Sequence, residues 1–394
     1  MTLPAAPILL KTKLHRHPLQ TDYVLRPQLL RKLQQCLRGK LTLVVAPAGF
    51  GKSTLVASWL ATLEQNAADG ASQAVHTCWL SLDAQDSSVG RFLNYFLAAL
   101  HTAYPAACPA LAQVLRSLPL PSTAYLADLL VAELGELSDR LIFVLDDFHH
   151  IQSVDVQEIV EKLLVHAPPA LHLVIISRLD PPLPLARLRV QNQMNEVRAA
   201  DLRFSVEEAE EFFGRALPTA LPTELVRKLD ERAEGWAAGL RLAALSLQDC
   251  PDPETLVAEF SGTQRHVMDF LLEQVLAQQP PDVVEFLLFT APLEMMCAPL
   301  CNEVLNAADR PQRIDSHAVL SYLVRSNLFL VALDNKGHWY RYHHLFREAL
   351  LYWLRTQHSA DTIATIQRQA AAWFARNGHL EPAVRQLLEI EAAE

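Results

Sequence analysis

Glycine is scarce in this chain: twelve residues in 394, against twenty-four prolines. That shortage excludes a fibrous or glycine-rich repetitive protein and points to helices joined at proline-marked breaks. Positive charge is also short. Lys and Arg number 34 against 44 Asp and Glu, a formal net charge of −10. An acidic chain argues against a broad nucleic-acid-binding surface and leaves room only for a local basic patch. No apolar run reaches membrane-spanning length. The opening stretch MTLPAAPILLKTKLHRH places its apolar patch before its basic residues, the reverse of a secretory signal. Six cysteines are scattered, at positions 36, 78, 108, 250, 297 and 301. Cys297 and Cys301 have no second Cys or His pair at metal spacing, so free thiols in a reducing cytoplasm are expected. What is present is apolar bulk: 51% hydrophobic and 20% charged residues predict a globular protein of two to four domains.

Residues 41–55, LTLVVAPAGFGKSTL, carry the most information. Leu41–Val45 is continuously apolar and β-branched, as a strand covered on both faces should be. Ala46-Pro47-Ala48-Gly49-Phe50-Gly51-Lys52-Ser53 then matches a phosphate-binding loop at its Gly-Lys-Ser end, with Ala46 where the usual pattern has glycine. Backbone N–H groups of Gly49 to Ser53 can ring a phosphate at a helix N-terminus. Lys52 can reach β/γ oxygens, and Ser53 can ligate Mg²⁺.

Strands are expected at Leu41–Val45, His76–Leu80, Leu141–Asp146 and His172–Ile176. Helices are expected between them, at Ser53–Gln65, Arg91–Tyr104, Tyr125–Leu137 and Asp155–His166. That alternation defines an α/β domain with a parallel sheet. Asp146 and Asp147 end an apolar strand, where carboxylates face the phosphate crevice. Asp146 would hold Mg²⁺ and Asp147 would orient or deprotonate an attacking water, unless the pair merely caps the next helix. Arg178 follows a further buried strand; it is either a guanidinium sensing a γ-phosphate or a surface arginine. Asp83 is either an acid at the crevice edge or a helix cap.

Beyond residue 203 the pattern turns helical. Ser205 and Glu208 form a capping-box signal. Gly235 and Trp236 open a helix, where Trp236 either roofs a nucleotide base or anchors a core. Residues 328–333 and 338–342 flank Asp334-Asn335-Lys336-Gly337, a β-hairpin signal that follows short helices as in a winged helix. His343, next to it, is either a phosphate contact or a structural histidine. Two helices from about residue 358 resemble one tetratricopeptide-like pair, which buries little by itself, so the chain is expected to be part of a longer protein. The expected division is 1–203, a nucleotide-binding α/β domain with an N-terminal arm; 204–278, helical; 279–357, winged helix; and 358–394, the start of a helical repeat.

Taken in order, TKLHRH, LTLVVAPAGFGKSTL, CWLSLDAQD, FVLDDFHHI, LVIISRLDPPLPLARLRV, EVRAADLRF, EGWAAGLRLAALSL and WYRYHHLFREALL resemble the signal-transduction ATPases with numerous domains (STAND). More narrowly, the chain resembles MalT-like, LuxR-type transcriptional regulators over nearly its whole length. The resemblance implies an ATP/ADP-controlled switch with slow hydrolysis: a closed ADP form at rest and an open, self-associating ATP form. It assigns phosphate contacts to Gly49, Gly51, Lys52, Ser53 and Thr54, with Pro47, Ala48 and Phe50 in the same loop. Asp146 and Asp147 become the Walker B acids, Arg178 the sensor arginine, and Val24 and Arg26 the flanks of the adenine. His343 would bind the ADP β-phosphate. The family's GxP sensor stands here as Gly235-Trp236-Ala237, without its proline. An inducer would act through C-terminal repeats, and DNA would be bound only through a C-terminal helix-turn-helix; no membrane partner is implied. A STAND ATPase with another effector, an ordinary ATP-consuming enzyme and an ADP-holding scaffold are the alternatives.

Overall fold

The computed structural model describes residues 9–35, 37, 39–68, 75–117, 119–248, 250–307, 314–334 and 336–391. Cys36 and Asn335 lie outside the described residues. The chain forms two compact units. One runs to Ala46 and from Phe50 to Leu202; the other joins Pro47–Gly49 to the chain from Arg203 onward.

The first unit contains α1 (Pro27–Gln35), β1 (Leu41–Val45), α2 (Lys52–Ala68), β2 (Val75–Ser81), α3 (Val89–Ala103), α4 (Pro109–Val114), α5 (Thr123–Leu134), β3 (Arg140–Asp146), α6 (Val154–Val165), β4 (Leu171–Ser177), α7 (Leu185–Val190), β5 (Met194–Arg198) and α8 (Ala199–Leu202). The strands lie in the order β2-β3-β4-β1-β5, and every pairing is parallel. Apolar runs without alternation produce this: Leu41, Leu43, Leu141, Phe143, Leu173 and Ile175 bury on one face, and Val44, Ile142, Val144 and Val174 bury on the other. The first face packs on Phe92, Phe96 and Leu100 of α3, Leu130 of α5 and Ile159 and Leu163 of α6. Phe96 stacks on Phe143 with centroids 4.0 Å apart. Four strands coincide with expectation to within one residue. The fifth, β5, had no such signal: its sequence MNEVR buries only Val197.

Ahead of the sheet, the TKLHRH segment is tied down by charge. Lys13 pairs with Asp83 and Asp86, and Arg16 grips Glu64 with two bonds of 3.0 and 2.7 Å. Asp83 caps the turn at 84–87, accepting from the Gln85 N–H, while Asp86 accepts from the Asp83 N–H. Of its two expected roles, the cap is the one it fills.

The second unit contains α9 (Val206–Ala216), α10 (Thr223–Ala233), α11 (Ala237–Leu247), α12 (Pro253–Glu259), α13 (Arg265–Gln274), α14 (Pro281–Thr290), α15 (Ala298–Ala307), α16 (Ser316–Arg325), the antiparallel pair β6 (Leu330–Ala332) and β7 (Tyr340–Tyr342), then α17 (His344–Gln357), α18 (Ala360–Arg376) and α19 (Leu380–Glu391). The Ser205–Glu208 capping box starts α9 as its spacing predicts. The Asp334 carboxylate accepts from the N–H groups of Lys336, His338 and Trp339, which turns the chain between β6 and β7. Tyr342, fully buried, shares a hydrogen bond of 2.7 Å with Thr290 and joins the hairpin to α14.

Candidate nucleotide site

The parallel register sets the geometry. β1 lies beside β4, with Val45 opposite Ser177, and β4 lies beside β3, with Ile175 opposite Leu145. The loop after β1, Asp146 at the end of β3 and Arg178 just past β4 therefore share one edge of the sheet. In open α/β sheets, ligands bind at this carboxyl edge. Gly49 and Gly51 hold φ of +77° and +74°, and α2 begins at Lys52. Left-handed glycines before a helix N-terminus let the backbone N–H groups converge on an anion.

Ser53 donates its hydroxyl to Asp146 at 3.0 Å, and the Asp147 N–H donates to the same oxygen at 2.9 Å. Asp146 is 2% exposed. Burial, followed by the charge of Asp147, raises its carboxyl to about 7 against those two bonds. Lys52 is also buried. Desolvation, with the Arg178 charge second, lowers its ammonium to about 8. Arg178 and Lys52 are thus close enough for their charges to act on each other. Asp147 sits at φ +55°, its side chain 45% exposed.

A hydroxyl beside a carboxylate is a hard-oxygen pair that suits Mg²⁺. Among the described residues, no group of three or more His, Cys, Asp or Glu could hold a metal alone. A cation between Ser53 and Asp146 would therefore take its other ligands from phosphate and water.

The remaining expected contacts fall as follows. Thr54 is exposed on the first turn of α2, and Phe50 is 4% exposed. Val24 is buried, and the buried Arg26 donates to the Leu202 carbonyl at 2.8 Å. Pro47–Gly49 belongs with the second unit. There the fully buried Trp236 donates its indole N–H to the Ala48 carbonyl at 3.0 Å, and the Ala238 N–H donates to Gly49 at 2.9 Å. The Trp236 ring packs against Phe270, Phe329 and His343, so it anchors a core. His343 is 2% exposed; its Nε2 bonds the Ala233 carbonyl at 2.9 Å, and its Nδ1 has no partner among the described residues. Burial lowers its imidazole to about 4.

Two residues that the sequence reading passed over emerge here. Glu234 takes two bonds from Arg341, at 2.8 and 2.9 Å, and one from the His344 N–H at 3.0 Å. Its acid and base stand in two quoted motifs 107 positions apart, with no local cue joining them. His149, two residues beyond Asp147, is the other; a histidine one residue removed from a pair of strand-end acids was the available signal.

Residues 24–176 match the AAA ATPase domain family, and residues 272–362 match the MalT winged-helix domain. The chain thus carries an AAA-ATPase-like stretch followed by a MalT-type winged-helix stretch. It is 33% identical over 365 residues to the serine/threonine-protein kinase PknK of Mycobacterium tuberculosis, covering 93% of this chain and 32% of that protein. It is also 33% identical over 341 residues to the HTH-type transcriptional regulator MalT of Yersinia enterocolitica, covering 86% and 36%. The chain thus spans about a third of the length of these curated relatives. A solved STAND protein with a tetratricopeptide repeat sensor from Pyrococcus horikoshii is similar at 14% identity and a TM-score of 0.42, covering 98% of this chain and 50% of that one. Among the described residues, no helix is long and apolar enough to cross a membrane.

Proposed function

We propose that the chain is the ATP/ADP-controlled switch of a MalT-like signalling protein, with ATP hydrolysis serving to reset it. The observation that carries this reading is the meeting of Lys52, the Ser53–Asp146 pair and Arg178 at one sheet edge. The loop backbone from Gly49 to Thr54, with Pro47, Ala48 and Phe50, cradles the phosphates, and Val24 and Arg26 flank the base. Lys52 neutralises phosphate charge, and Arg178 senses the terminal phosphate. Asp147, the more exposed acid, orients water for attack. Mg²⁺, held by Ser53 and Asp146, would screen the phosphates when bound. Trp236 and His343 report nucleotide state to the helical and winged-helix parts. Those parts are taken as 204–278 and 279–357, between the 1–203 ATPase domain and a repeat beginning at 358. Slow turnover, below about one per second, suits a switch better than a metabolic enzyme. Self-association in the ATP form, an inducer acting through C-terminal repeats, DNA contact through a C-terminal helix-turn-helix and a cytoplasmic location complete the reading.

One comparison favours a second reading of the output. A protein named as a kinase and proteins named as transcriptional regulators match this same stretch. The module is then a shared controller, and the effector is a separate choice.

Calorimetric titration with ATP and ADP in Mg²⁺ tests the core of the proposal. Binding of both is expected in the wild type, with loss of at least about tenfold in affinity for Lys52→Ala. Purified protein that neither carries nor takes up adenine nucleotide would rule the switch out.

A further inference from the structure

The turn after β3 presents a side chain that the roles above leave unused. His149 is only 8% exposed, yet neither ring nitrogen has a hydrogen-bond partner among the described residues. Its Nδ1 stands 3.9 Å from the Asp147 carboxylate, and its ring lies 4.2 Å from that of His150. The charges of Lys52 and Arg178 both act on it. An imidazole buried with both nitrogens unsatisfied is costly, and such groups in a folded protein call for an explanation. Here the surroundings supply one. The ring stands beside the Asp147 carboxylate and within electrostatic reach of Lys52 and Arg178. Burial, with His150, Arg178 and Lys52 adding to it, also holds the imidazole uncharged at neutral pH. A neutral ring always has one N–H to donate.

We propose that His149 donates a hydrogen bond to the terminal phosphate of a bound nucleoside triphosphate and so helps the protein distinguish triphosphate from diphosphate. This rests on the nucleotide-site reading above and adds to it a neutral donor beside the charged donors of Lys52 and Arg178.

The test compares wild type, His149→Leu and His149→Gln by calorimetry with Mg²⁺, using ADP and a non-hydrolysable ATP analogue, beside thermal melts without nucleotide. In His149→Leu, affinity for the triphosphate analogue is expected to fall about tenfold or more, with ADP affinity held within about twofold. His149→Gln, which keeps an N–H donor, should recover most of the loss. Without nucleotide, the Leu variant should melt at or above the wild type, because no protein hydrogen bond is removed. The proposal is overturned if both nucleotides weaken together, if neither changes, or if His149→Leu fails to fold, since each marks a structural ring. Wild-type protein that binds neither nucleotide would instead sink the site reading itself.

Discussion

With its carboxyl 2% exposed and Asp147 beside it, Asp146 titrates near pH 7 where a free aspartate titrates near 4. Between those values the folded protein keeps a proton that the unfolded chain has released. This group's contribution to stability is therefore complete below about pH 4 and is lost as pH rises through about 7. Asp146→Asn still offers an acceptor to Ser53 and carries no titrating charge. Without nucleotide or cation, the variant should melt with the wild type near pH 4 and above it near pH 8, by roughly 2–4 kcal/mol. Lys52 shifts the opposite way, from 10.5 to about 8, so its effect enters only above pH 8, where stability should rise with pH. Thermal melts across pH 4–8 check this; a constant gap between variant and wild type would refute it. The two loop glycines make a second contrast. A Cβ on Gly49 would lie 2.5 Å from the Ala238 Cβ and 2.8 Å from the Trp236 indole nitrogen, whereas one on Gly51 meets nothing within 4 Å. Both have positive φ, so each alanine costs about 1–2 kcal/mol in backbone strain. Gly49→Ala should cost at least about 1 kcal/mol more by overpacking. Urea unfolding of the pair measures the difference.

At the scale of elements, Glu234 ties the end of α10 to β7 and the start of α17. It is 7% exposed at its side chain, sits at φ +50°, and Arg203 lies 3.6 Å from it. Although burial opposes ionisation, the Arg341 bonds, the His343 field and the His344 N–H hold its carboxyl down at about 2. Charge is thus retained through any pH the protein meets, and the pair acts as a fixed clamp. Removing Arg341 leaves the buried Glu234 carboxylate with only Arg203 and His344 beside it, which should cost about 1–3 kcal/mol, while removing both partners should cost less than the sum. A double-mutant cycle on Glu234→Gln and Arg341→Met should return a coupling of about 1–3 kcal/mol in urea unfolding. The clamp also shows where sequence reasoning stops. β1, β3 and β4 were legible because a strand buried on both faces is a nearly unbroken apolar run; the exceptions inside these strands, Thr42 and His172, share a hydrogen bond of 2.9 Å. β5 was not, because this edge strand is mostly polar: Glu196 and Arg198 pair along it, and Arg189 of α7 reaches Glu196. The Ser205 box was legible from its spacing, and the Asp334 turn from its hairpin signal, although the strands expected at 328–333 and 338–342 narrow to Leu330–Ala332 and Tyr340–Tyr342. Glu234–Arg341 and the orphaned His149 depend on packing of distant segments, which no short pattern encodes.

For the molecule as a whole, residues 24–176 match the AAA ATPase family and residues 272–362 the MalT winged helix, within a chain that spans about a third of its curated relatives. The switch reading nevertheless makes a demand on this chain alone. For ATP to move the population from nearly all closed to nearly all open, it must favour the open form over the closed by about 5 kcal/mol. ADP must lack most of that preference, or both nucleotides would give one state. The difference can come only from groups that meet the terminal phosphate, which the proposal assigns to Arg178 and His149. Light scattering after gel filtration should then show a larger mass with Mg²⁺ and a non-hydrolysable ATP analogue than with ADP. Arg178→Ala should remain at the ADP mass in both nucleotides while still binding ADP within about threefold of wild type. Assembly that is equal in the two nucleotides, or unaltered in Arg178→Ala, would mean that the terminal phosphate is not what the module reads.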